Sequence, residues 1–310
     1  SVSRYHQPPT ESEAYPDNPW PFQTLNQIAA EPLPKKEPLW GPFMSASTII
    51  LAATRGTGKT GFATMVGESV ASGRDFCGIT PKQGRVAFVQ LDMGIHSVQG
   101  RAVGRDWHHD FHYVTRWHFQ RAGLPVPNLG DPDHHEMIVK ALKDYAMVIF
   151  DTRRACQPPG TGSDGNLWHP SYWLKSAPVR YQLTDAGVCV VLLDHLTDTG
   201  QVKDTKAIED DADCVIALKD SDKGTQDTCF QMELTKDRDH VATELTYFQF
   251  SDIGDPGSWE RFTDESRHRE VFEYRKTHSI KETAEEFSIS ERTVKNWCRE
   301  VRREIRATHG

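Results

Sequence analysis

The chain has 310 residues and a net charge of −8, with an isoelectric point near 6.0. That length holds one large domain and a small one, and the acidic balance argues against a protein that coats nucleic acid over its whole surface. The six cysteines are scattered with no Cys-x-x-Cys pair, which argues against a disulfide framework or a zinc ribbon. No run of about eighteen apolar residues is present, so no membrane contact and a reduced, cytoplasmic setting are expected. The charge is uneven: residues 290–310 carry six Arg or Lys against three Glu, a local basic patch on an acidic body.

In chain order, residues 1–21 are polar and proline-rich, a composition that predicts a disordered tail. Residues 22–45 read as a lead-in: a short helix over 22–30 with Leu25 and Ile28 inward, then a linker marked by Pro32, Pro34 and Pro38. From 46 to 251 apolar runs at 47–53, 86–91, 147–150 and 188–193 alternate with helical patterns at about 59–71, 133–144 and 171–186. Buried strands separated by helices predict an α/β core, a mostly parallel sheet with helices on both faces. Later runs at 214–218, 229–234 and 245–250 are expected to extend the sheet edge antiparallel. Residues 252–265 read as a linker and 266–310 as a small all-α domain.

The first run empties into Ala53-Thr54-Arg55-Gly56-Thr57-Gly58-Lys59-Thr60-Gly61. Strand, Gly-rich loop and helix together form a phosphate cradle, in which loop amides and the positive end of the helix point at the phosphates. Arg55, Gly56, Thr57, Gly58, Lys59, Thr60 and Gly61 are thus the expected ATP-binding set. Lys59 would reach the β- and γ-phosphates, and the Thr60 hydroxyl would ligate Mg2+. Three further strands end in polar residues. The run at 147–150 ends at Asp151, as the acid of a Walker B strand does, within water distance of Mg2+. The run at 86–91 ends at Asp92, read as the base that orients the attacking water or as a helix cap. The run at 188–193 leads to Asp194-His195, where His195 is placed to sense the γ-phosphate, or is a surface histidine without a role.

The order strand–Walker A, strand–acid, Walker B and strand–His resembles RecA-type ATPases. Trp40-Gly41-Pro42-Phe43 and the stretch 204–218 are similar to the RepA-like, AAA_25-type branch, relatives of DnaB-class replicative helicases. The resemblance covers about residues 38–250 and implies a RecA-like core. It implies that Lys236 and Arg238, at the end of a late strand, insert into a neighbouring subunit's site, so that ATP is hydrolysed in a homo-oligomer, a hexameric ring. Without the resemblance, two alternating cations there are a solvated edge. It also places the loops 157–175 and 196–206 where such proteins contact single-stranded DNA. Trp168, His169, Tyr172 and Trp173 in the first would stack on bases or pack against the body, and Lys203 and Lys206 in the second would meet phosphates. The family's usual Glu is Asp92 here, one methylene shorter, which bears on hydrolysis rate more than on nucleotide binding.

Residues 280–299 resemble the helix-turn-helix of phage, invertase and sigma-factor DNA-binding domains, with a support helix over 271–278. Ala284 is small where helices cross, Ile289 dips inward in the turn, and Val294 and Trp297 face the core. Glycine is common where Ser288 stands. On duplex DNA, Glu291, Arg292, Lys295 and Asn296 would face the major groove and Arg299 the phosphates; protein docking is the alternative use of the same geometry. His108, His109, His112 and the pair His134-His135 are too unevenly spaced for a structural zinc and read as ordinary surface and strand residues. Two functions fit: an ATP- and Mg2+-dependent DNA motor of a plasmid, phage or other mobile element, as helicase or helicase-like ATPase, and an ATP-switched DNA-binding initiator, loader or regulator.

Overall fold

The computed structural model describes residues 22–157, 170–203, 206–224, 228–239 and 245–308; the tail over 1–21 lies outside them. The chain divides into two units, Ser1–Leu33 and Pro34–Gly310. In the first, Thr24 and Gln27 form a reciprocal capping box that starts helix α1 (Leu25–Ala30). Leu25 and Ile28, expected inward, are exposed. The reason is simple: among the described residues of this unit no second element exists for them to pack against.

The second unit opens on a hairpin of β1 (Pro38–Trp40) and β2 (Phe43–Met44), expected as linker. Its Trp40 and Phe43 are buried instead, because the Trp40 ring packs 5.7 Å from Phe62 and Phe43 packs 5.9 Å from Trp40. Strand β3 (Ser47–Ala53) leads into α2 (Lys59–Ser72), then β4 (Val86–Gln90), α3 (Ile95–Ala102), β5 (Phe111–Thr115) and α4 (Arg116–Ala122). Next come α5 (Pro132–Leu142), β6 (Met147–Asp151), α6 (Arg153–Cys156), α7 (Pro170–Lys175), α8 (Ala177–Asp185) and β7 (Cys189–His195). Helix α9 (Lys206–Asp211), β8 (Cys214–Asp220), β9 (Thr228–Asp237), β10 (Thr246–Phe250) and β11 (Trp259–Phe262) complete the layers.

The nine-stranded sheet runs β11-β10-β9-β8-β3-β7-β6-β4-β5. From β8 to β5 all neighbours are parallel, and β9, β10 and β11 continue as an antiparallel meander. The expectation that 214–218 joins antiparallel is therefore corrected: β8 pairs parallel with β3, because α9 carries the chain over before it re-enters the sheet. Alternation along β3 sends Ile49 and Leu51 into the core under α2, and Ile50 and Ala52 into the core under α5 and α8. With both faces covered, the central strands are largely apolar, and β3, β4 and β6 are buried at every residue. The result is a mostly parallel α/β sheet with helices on both faces.

Residues 252–265 are not a linker. They contain β11, whose Trp259 and Phe262 are buried while the two residues between them are exposed; three positions apart, the two rings face opposite sides of the sheet, Trp259 stacked on Phe250 and Phe262 on Tyr247. Only Thr263, which caps the next helix, separates β11 from α10 (Asp264–Arg275). Helices α11 (Ile280–Glu286) and α12 (Glu291–Thr308) follow, and Val271, Ala284, Phe287, Val294 and Cys298 make their shared core. Ser288 sits in the turn at φ +51°. Lys223 Nζ reaches Asp264 at 2.6 Å and the Tyr247 hydroxyl at 2.8 Å, so this helical region is fastened to the sheet edge. No helix among the described residues is long and apolar enough to cross a membrane.

Candidate nucleotide site

The parallel strands β3, β7, β6 and β4 all end at one edge of the sheet, the crevice where ligands bind in open α/β folds. At the end of β3 the loop turns through Gly58, whose φ of +88° caps α2 in the left-handed region and suits glycine. Arg55 and Gly56 are exposed at the loop's tip, Gly58 is half-buried, and Thr57, Lys59 and Gly61 are buried. Lys59 Nζ donates to the carbonyl of Asp194, 2.8 Å away at the end of β7. Thr60 Oγ1 donates to Oδ2 of Asp151, the last residue of β6, at 2.8 Å.

One residue of this cluster has no counterpart among the sequence expectations. Gln90, fully buried at the end of β4, donates through Nε2 to Asp151 Oδ2 at 2.6 Å. Its Oε1 accepts from the backbone N–H of Asp92 at 2.9 Å and of Met93 at 3.0 Å. The signal was available: a glutamine inside an apolar strand must find partners. Behind the site, buried Arg153 donates to Asp194 Oδ2 at 2.5 Å, and Asp194 Oδ1 accepts from the His195 backbone N–H at 2.8 Å. Asp194 is thereby compensated by hydrogen bonds as burial of a carboxylate requires.

Burial pushes Lys59 down, opposed by the nearby carboxylates of Asp151, Asp194 and Asp92. Burial likewise raises Asp151, opposed by Lys59 and by the hydrogen bonds from Thr60 and Gln90. His195 is half-buried and lowered by that burial and then by the Lys59 cation. Asp92 is exposed at the rim. Beside Thr60 and Gly61 opens a cavity of about 250 Å3, walled by Met65, Val98, Ala102, Trp107 and Ile253, apolar and adjacent to the cradle as a planar base requires. The oxygens of Thr60 and Asp151 are the hard donors that Mg2+ takes, so the pair fits that ion.

The remaining expected residues lie elsewhere. Lys236 Nζ donates to the carbonyls of Glu209 and Asp210 at 2.6 and 2.5 Å, and Arg238 Nη2 to the Asp210 carbonyl at 2.6 Å. Within one chain the two cations thus cap the C-terminus of α9, satisfying carbonyls that a helix end leaves unpaired. Arg238 stays half-exposed. Lys203 and Lys206 are exposed, and the Lys203 backbone N–H donates to the His195 carbonyl at 2.9 Å. Trp173 is buried with the Arg180 guanidinium 3.9 Å over its ring, so it packs against the body and is not available to bases. Trp168, His169 and the Tyr172 side chain lie outside the described residues.

On α12, Glu291, Arg292, Lys295, Asn296 and Arg299 are all exposed, opposite the buried Val294 and Cys298. The ligand atoms of His108, His109 and Asp110 lie within 4.8 Å of one another. His112 Nδ1 is 2.5 Å from the Tyr145 hydroxyl, and buried His135 bonds the Leu129 carbonyl at 2.9 Å.

Sheet order, phosphate loop and converging carboxylates define a P-loop nucleotide-binding protein of the ATPase type. Residues 11–201 match the AAA_25 family, described as an AAA domain, and the chain belongs to that family. Residues 269–304 match a helix-turn-helix domain. No curated protein matches the chain. Among solved structures, a KaiC-like protein from the hyperthermophilic archaeon Pyrococcus horikoshii aligns at 17% identity over 72% of this chain and 93% of that one, with a TM-score of 0.47.

Proposed function

We propose that this protein is an oligomeric, ATP-dependent motor on DNA, a RepA-like replicative helicase or helicase-like ATPase of a plasmid, phage or other mobile element. The observation that carries the reading is the bonded series Thr60–Asp151–Gln90–Asp92, which ties the phosphate loop, the metal-binding acid and the water-orienting acid into one unit. Loop amides from Arg55 to Gly61 bind the phosphates, Lys59 supplies a cation to the β- and γ-oxygens, and the base enters the cavity beside Gly61. Mg2+, held through Thr60 and Asp151, would neutralise charge on those oxygens. Asp92, its backbone fixed by Gln90, orients the attacking water, and His195 meets the γ-phosphate as a neutral imidazole. Lys236 and Arg238 act on the neighbouring subunit's nucleotide, so turnover depends on assembly into a hexamer. Lys203 and Lys206 contact single-stranded DNA, and the exposed face of α12 contacts a duplex.

The test is ATP turnover with and without single-stranded DNA, beside mass determination in ATP and Mg2+. Stimulation by DNA together with a ring-sized mass is expected. Turnover indifferent to DNA, in a protein that stays monomeric with nucleotide, overturns the motor.

A second reading, an ATP-switched DNA-binding initiator, loader or regulator, is favoured by one feature. Phe250 and Ile253 pack against Gly58 and Gly61 of the loop, Trp259 stacks on Phe250 at 4.2 Å, and β11 joins the helix-turn-helix through a single residue. Duplex binding that changes with nucleotide, without strand separation, selects this reading.

A further inference from the structure

The phosphate loop carries two hydroxyls, on Thr54 and Thr57, that phosphate binding leaves without a task. Their Oγ1 atoms are 2.6 Å apart. Thr57 Oγ1 lies 2.6 Å from Asp220 Oδ1, and Thr54 Oγ1 lies 3.2 Å from Asp220 Oδ2. Each hydroxyl has one proton to donate. The short contacts are therefore satisfied in series, Thr54 donating to Thr57 and Thr57 donating to the carboxylate.

Asp220 belongs to no nucleotide motif. It is the last residue of β8, and the parallel register sets Leu218 opposite Ala53, so residue 220 falls level with the loop as it leaves β3. Its neighbour Lys219 is committed to Glu233 at 2.6 Å. Thr57 is buried, and a buried hydroxyl that lost its acceptor would carry a desolvation penalty.

We propose that Asp220 is a positioning residue for the phosphate loop: its carboxylate ties Thr57, and through it Thr54, so that the loop is held in its phosphate-accepting shape before nucleotide arrives. The proposal rests on the nucleotide reading of the site. Two effects of Asp220 oppose each other. Pre-organisation of the loop favours binding, while a negative charge beside a cradle for anions disfavours it. Asparagine at 220 keeps an acceptor oxygen and removes the charge, which separates the two.

The experiment is amide hydrogen exchange of residues 54–60 in the full chain without nucleotide, with titration by ADP and by ATP in Mg2+, for wild type, Asp220→Ala, Asp220→Asn, Thr57→Val and the double variant Asp220→Ala/Thr57→Val. Asp220→Ala and Thr57→Val are each expected to speed exchange in the loop and weaken nucleotide about 5- to 30-fold. The double variant should be no worse than the poorer single one, since both break the same bond. Asp220→Asn should exchange as wild type and bind nucleotide at least as tightly. In turnover assays of Asp220→Ala, KM should rise by a larger factor than kcat falls, a split that general destabilisation would not give. Unchanged exchange and affinity in Asp220→Ala, or additive losses in the double variant, overturn the proposal. A wild type that binds neither nucleotide overturns the ATP reading, and exchange in Asp220→Ala then still decides whether Asp220 holds the loop.

Discussion

At the scale of single residues, the site is governed by groups whose ionisation is set by burial. His195 lies below the ordinary histidine value through desolvation and then through Lys59. Its imidazole should therefore titrate below about 6.5 by NMR, and Lys59→Met should move that titration upward; no movement would mean that Lys59 does not act on it. With its value lowered on folding, His195 binds fewer protons in the folded protein than in the unfolded chain. Its contribution is thus present above about pH 6.5 and lost as pH falls through the folded value. Ser288 makes a different point. At φ +51° it holds a conformation that costs an L-residue about 1–2 kcal/mol, offset in glycine by its larger loss of backbone entropy on folding. Ser288→Gly should stabilise the protein by about 0.5–1 kcal/mol, read as a higher denaturation midpoint; a lower midpoint would mean that the serine side chain contributes more than the backbone strain removes.

At the scale of elements, what could be read from the sequence depended on how thoroughly each element is buried. Strands β3, β4, β6 and β7 are covered on both faces, so their middles are unbroken apolar runs with polar residues only at the ends, and their bounds were legible to within two residues. Strand β5 mixes His112 with half-buried aromatics at the sheet edge, and α3 and α4 bury no residue; neither pattern stands out from a polar loop. Strand β11 is four residues with two exposed and follows a Gly- and Pro-rich turn, which is why 252–265 read as a linker. The strand, Gly-rich loop and helix over 47–72 were legible because their spacing is a motif. The hydrogen bonds of Gln90 and Asp220 were not, because they depend on which strand ends lie side by side. Trp259→Ala, which removes a ring stacked on Phe250, should cost about 3–5 kcal/mol of global stability. A true linker residue would cost nearly nothing, so an unchanged denaturation curve would restore the linker reading.

At the scale of the whole molecule, the sheet joins functions that the sequence lists separately. One of its edges meets the helix-turn-helix through Thr263, while its centre holds the phosphate loop between β7 and β8. The cations Lys236 and Arg238 lie at the far end of β9, bonded to α9 and not to this chain's own phosphate loop. That arrangement makes a second copy necessary if the two are to reach a nucleotide. The most direct measurement is ATP turnover by an equimolar mixture of Lys59→Ala and Arg238→Ala proteins, each expected to be inactive alone, after subunit exchange verified by mass. Recovered turnover is expected, because an intact cradle on one subunit would meet an intact Arg238 on its neighbour. A verified mixed oligomer that stays inactive, or Arg238→Ala protein that turns over ATP like wild type, would contradict catalysis between subunits.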